Sequence, residues 1–106
     1  IVRSPVAGVV TRTFYVYQDS QKWTGIEVKT PSGHRVKVMY VVPGIALQSN
    51  VQIGDALGTA QPIHERYGAA MHDHIHVEVW TPAGKPINPE PLFGAALAGC
   101  TCQKIA

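Results

Sequence analysis

A chain of 106 residues, 45% hydrophobic and 15% charged, has the size and composition of one globular domain and is neither disordered nor divisible into two. A formal charge of only +2, with no block of lysine or arginine, argues against a nucleic-acid partner. No apolar run is long enough to span a membrane. The sequence starts at Ile1 without a methionine or a signal-peptide pattern, so it reads as a piece of a longer polypeptide.

In chain order the pattern is that of strands. "VAGVVTRTFYVY" alternates and is rich in valine, threonine and aromatics, which suits a strand. "WTGIEVKT" and "HRVKVMYVV" follow as a hairpin across the tight turn "PSG", with Ile26 and Val28 facing one side and Glu27 and Lys29 the other. Val36 and Val38 repeat the inward pattern. "PGIALQSN" reads as a loop, and "VQIGDALGTA" as two short apolar pieces about a turn that Asp55 helps to form. "QPIHERYGAAM" is a surface loop or short helix. The turn "TPAGKP" and the proline-rich "INPEPLF" end the strand pattern and prevent any long helix. "LFGAALAG" reads as a terminal helix or packed tail. Cys100 and Cys102 make neither a disulfide framework nor good zinc spacing, and read as free or loosely paired tail thiols. The fold expected is all-β, mostly antiparallel, a compact two-sheet sandwich or partly open barrel with little helix.

One segment asks for more than packing. In "MHDHIHVEVW", His72, His74 and His76 share one face of a strand, with Glu78 beside them, while Ile75, Val77 and Val79 share the other. His34 in "PSGHR" and His64 in "PIHERY" read as surface residues, and Tyr40 and Trp80 as core or groove-wall aromatics.

The ordered set "SPVAGVV", "VKVMY", "VQIGDALGTA", "HIHVEVW" and "GKPINPEPLF" resembles the lysostaphin-like (M23, LytM) zinc metallopeptidase domain, from Ser4 to about Phe93. It is also similar to the leukocyte-derived chemotaxins around "VKVMYVVP". The resemblance implies a fold of the lysostaphin-like, duplicated-hybrid type over residues 1–93, lacking the N-terminal part of the family domain, with residues 94–106 as a tail. It implies that His76 is a zinc ligand and His74 a catalytic histidine; Tyr40, Glu78 and His72 read, from their own places beside that face, as second-shell or groove residues. It further implies zinc as cofactor and bacterial peptidoglycan or its peptide crossbridge as partner. The setting would be extracellular, periplasmic or on a virion, including phage-tail and other multichain assemblies.

Two departures separate the chain from an active member. The family's upstream "H-x-x-x-D" pair of ligands is missing from this sequence. Val42 stands where the histidine of a "Y-x-H" stretch belongs, and valine can neither donate nor accept a proton. Three readings follow. The chain is a degenerate, structural or wall-binding module; or an active zinc endopeptidase completed by an upstream segment; or an unrelated β-domain whose histidines bind adventitious metal or fill a groove.

Overall fold

The computed structural model describes residues 1–68 and 73–89, and the backbone of 102–104. The strands are β1 (Val2–Arg3), β2 (Gly8–Tyr17), β3 (Ser20–Lys29), β4 (Arg35–Met39), β5 (Val41–Pro43), β6 (Asn50–Val51), β7 (Ala56–Ala60), β8 (Ile75–Trp80), β9 (Pro86–Ile87) and β10 (Cys102–Lys104). Among the described residues one helical turn, α1 (His64–Tyr67), interrupts them. They form two packed sheets and no closed barrel. The smaller runs β1-β7-β5; the larger runs β10-β8-β4-β3-β2-β6, with β9 added beside β8. Among the described residues every pairing is antiparallel except β10 with β8, and the fold is the expected all-β sandwich.

Alternation explains where the core lies. Val10, Ile26, Val28, Val36, Val38, Val77 and Val79 of the large sheet meet Val2, Val41 and Leu57 of the small one, all buried in one cluster. This is a β-branched interior, and β-branched side chains are stiff in χ1 and pack well on a pleated surface. The opposite face of the large sheet is laid out in rows. Met39 pairs with both His76 and Gly25, and Gly25 with Phe14, giving the row His76–Met39–Gly25–Phe14. The next row, Glu78–Lys37–Glu27–Arg12, alternates in charge. Glu27, expected to face outward, does so yet is only 4% exposed. Thr11 Oγ1 donates to its Oε2 at 2.8 Å, and Arg12 Nε lies 3.4 Å from the same oxygen.

The turns repeat a single solution. In "TPSGH" the Thr30 N–H donates to the His34 carbonyl at 2.9 Å and the Gly33 N–H to the Thr30 carbonyl at 2.9 Å. In "TPAGK" the same bonds join Thr81 to Lys85 at 2.8 Å and Gly84 to Thr81 at 2.9 Å. Gly33 and Gly84 hold φ of 87° and 81°, a left-handed region that glycine enters without steric cost. The turns are neighbours: a Cβ on Gly33 would come within 3.2 Å of Pro82 Cγ. Asp55 forms the expected turn, its Oδ2 accepting from the Gln52 N–H at 2.8 Å. β6 covers β2 only at Gly8 and Val9.

Candidate functional site

The histidines owe their position to a change of sheet at one residue. β4 ends at Met39, β5 begins at Val41, and Tyr40 between them has φ 68°. Strict alternation would place Tyr40 beside Val36 and Val38. The left-handed residue breaks the alternation and sends the ring to the other face, into a cluster with Trp23, Met39 and Ile63. Two backbone bonds hold this conformation: the Tyr40 N–H donates to the Thr24 carbonyl at 2.9 Å, and its carbonyl accepts from Gln61 N–H at 2.8 Å. Gln61 also ties the neighbouring strand, its Nε2 donating to the Lys22 carbonyl at 2.7 Å and its Oε1 accepting from Thr24 N–H at 3.0 Å.

The Tyr40 ring then becomes the floor for both imidazoles. His74 meets it edge-on with centroids 5.5 Å apart and planes at 88°; His76 meets it at 6.1 Å and 68°. Trp23 stands perpendicular to the same ring at 6.4 Å. The Tyr40 hydroxyl is 2.7 Å from that of Tyr17, which is hydrogen-bonded in turn to the Tyr67 hydroxyl. Burial and these two hydroxyl contacts push the Tyr17 phenol above its ordinary range. The Tyr17–Tyr67 bond acts in the opposite direction on Tyr67, whose phenol pKa it lowers.

His74 is 8% exposed. His76 is partly buried, and its Nε2 is fully enclosed with no hydrogen-bond partner among the described residues. Burial lowers its pKa, the nearby Glu78 carboxylate acts against the shift and His74 adds to it, so the ring is held neutral. Glu78, an expected helper of the site, is engaged elsewhere: its Oε1 accepts from Trp80 Nε1 at 2.8 Å. Val42 lies in β5 opposite Thr59 and is 51% exposed. His72, the remaining histidine of the trio, lies outside the described residues, as do Cys100 and the "LFGAALAG" segment.

A contact that spacing does not reveal joins α1 to the start of the histidine segment. Asp73 Oδ1 is 2.7 Å from His64 Nδ1 and accepts from the His64 N–H at 3.1 Å. The backbone bond and then the imidazole lower the Asp73 pKa. His64 is therefore at the surface, as expected, but anchored. Lys22–Glu65 and Arg66–Asp19 ion pairs fasten the same helical turn to the β2–β3 hairpin.

Catalytic zinc takes three protein ligands and an open position. Among the described residues no group of three or more histidine, cysteine, aspartate or glutamate side chains could hold a metal ion. His74 and His76 bring two imidazoles together, one with an unpartnered buried nitrogen, and no third such donor joins them among the described residues. Compared with known proteins, the chain matches no protein-family model, and no curated protein matches it significantly.

The His76 shift sets a pH dependence. Its folded pKa lies below the ordinary 6.5, so between the two values the unfolded chain binds a proton that the folded chain does not. Stability from this group is present above about pH 6.5 and falls as the pH drops through the folded value. Urea midpoints measured from pH 8 to pH 5 should decline over that window, and His76→Asn should flatten the decline. An unchanged slope in the variant would assign the effect to another group.

Proposed function

We propose that the chain is an M23-like domain, related to the zinc endopeptidases that cleave bacterial cell-wall peptides, with a degenerate site and a retained role as a structural or wall-binding module. The observation that carries this reading is the set of groups around Tyr40. His74 and His76 occupy one face, as the resemblance requires of a catalytic histidine and a ligand, while the position that needs a second proton-transferring histidine holds Val42. Zinc, when bound in the related enzymes, activates water for attack on an amide. Here His76 would be one ligand and His74 the adjacent imidazole, and a single or double histidine site leaves the metal mostly hydrated and weakly held.

The test is release of new amino termini from purified cell walls, with wall co-sedimentation measured on the same samples. The protein should co-sediment and release nothing above background, with or without added zinc, and dialysis against a mild chelator should strip it of metal. Loss of a transition-state donor alone costs about a hundred- to a thousandfold in rate, and the incomplete ligand set removes the remainder. The buried, unpartnered Nε2 of His76 favours one other reading, an active endopeptidase whose missing ligands come from an upstream segment. Amino-terminus release that disappears in His76→Ala would establish that alternative.

A further inference from the structure

At the end of the large sheet away from Tyr40, the second Thr-Pro turn, Thr81–Gly84, borders a second feature. A hollow of about 220 Å³ is lined by Arg35, Lys37, Trp80 and the turn that follows Trp80. Arg35 lies directly opposite Trp80 across β4 and β8, and directly opposite Lys29 across β4 and β3. Like charges facing each other across a sheet destabilise it, so the Lys29–Arg35 pair is unfavourable in the protein alone. Neither cation has a carboxylate within ion-pair distance among the described residues, and Lys37 has none either. Glu78, opposite Lys37 in register, turns instead to the Trp80 N–H. The Lys37 ammonium rests on the indole, 4.9 Å from its centroid. Lys37 and Trp80 are both half-buried, and a charge-assisted bond to a carboxylate is stronger than a cation–π contact, so a bound carboxylate draws the ammonium off the ring and uncovers its face.

The geometry points to a binding site for a single carboxylate-bearing sugar ring, its carboxylate on Arg35 and Lys37 and its C–H face on Trp80. The planar guanidinium fork matches a carboxylate, and an indole offers an apolar face with a polar edge. The volume lies below the roughly 300 Å³ at which sites for drug-sized ligands begin, which suits one ring and not a peptide or a long glycan. The occupant rests on the wall-binding reading, since acidic sugars occur in the wall as uronic acids and, where the peptide stem has been removed, as muramic-type ether acids.

The test uses the two tryptophans. Trp23 is 3% exposed and serves as the buried control for Trp80. The indole N–H resonances of ¹⁵N-labelled protein are followed during separate titrations with N-acetylmuramic acid, glucuronic acid, N-acetylglucosamine and inorganic phosphate. A carboxylated sugar should move the Trp80 resonance saturably and leave Trp23 in place, and the tighter of the two acids names the source. Arg35→Gln, at an exposed position, should weaken that binding by about tenfold or more, with Arg35→Lys intermediate. Equal binding of the neutral sugar, phosphate as tight as the acids, or an unchanged affinity in Arg35→Gln would each overturn the site. Should walls co-sediment the protein while neither acid moves Trp80, the site falls and the wall-binding reading stands. Should the acids bind while walls do not, the site stands and the wall-binding reading falls.

Discussion

Tyr40→Ala is expected to lower the unfolding free energy by about 3–5 kcal/mol, the usual range for removing a large buried aromatic. The ring is shared by Trp23, Tyr17, His74 and His76, so its loss opens a cavity that four neighbours border. Alanine also inherits φ 68° without the ring contacts that accompany it. With about 4–8 °C of melting temperature per kcal/mol for a domain of this size, the fall should exceed about 12 °C. Tyr40→Phe keeps the packing and loses only the hydroxyl bond to Tyr17, at a cost of about 1 kcal/mol. Near-equal stabilities of the two variants would mean that the hydroxyl chain, and not the ring, holds the site together.

Gly58→Ala should be the second severe change. An added Cβ would lie 2.0 Å from the Val42 carbonyl oxygen and 3.0 Å from Val41 Cγ1. The obstacle is backbone, and it belongs to the pairing that joins β5 to β7, where Gly58 faces Pro43 and Thr59 faces Val42. Relief therefore requires the two strands to separate. Overpacking costs about 1–3 kcal/mol when side chains can shift, and a fixed backbone places this case at or above the upper end. Gly54→Ala supplies the comparison. That residue has φ 91° but nothing within 4 Å of an added Cβ, so it carries conformational strain alone, about 1–2 kcal/mol. Chemical denaturation of both variants separates the effects; a Gly58→Ala loss no larger than that of Gly54→Ala would show that β5 and β7 part easily.

The valine interior was legible because a strand has period two: Ile26, Val28, Val36, Val38, Val77 and Val79 lie where alternation puts them. Both Thr-Pro-x-Gly turns were legible because proline and glycine have narrow conformational uses. The side of Tyr40 was not, since a single left-handed residue reverses the parity of a strand and tyrosine gives no sign of adopting it. Nor was the burial of Glu27, which depends on Thr11 and Arg12 arriving from another strand. The parallel β10 was missed because "CQK" is too short to carry periodicity and a parallel partner leaves no hairpin signal. At the site, parity alone placed His74 and His76 together, whereas the His64–Asp73 link joins residues nine apart through a turn that no spacing rule anticipates.

The order of strands in the large sheet has a consequence for time. β2, β3 and β4 follow one another as a meander and close over short loops, whereas β8 must return to β4 after a separation running from Met39 to Ile75. Loop-closure entropy makes such a distant pairing slow relative to neighbouring hairpins. A refolding chain therefore holds a three-strand platform before it holds the histidine pair against Tyr40. In pulsed hydrogen exchange, the amides of Ile26 and Val38 should gain protection in an earlier phase than those of Val77 and Val79; simultaneous protection would mean that β8 enters with the meander. Any partly folded form that exposes the free edge of β4 is also a form in which His76 is solvated, so the burial that lowers its pKa arrives only with the long-range pairing of β8.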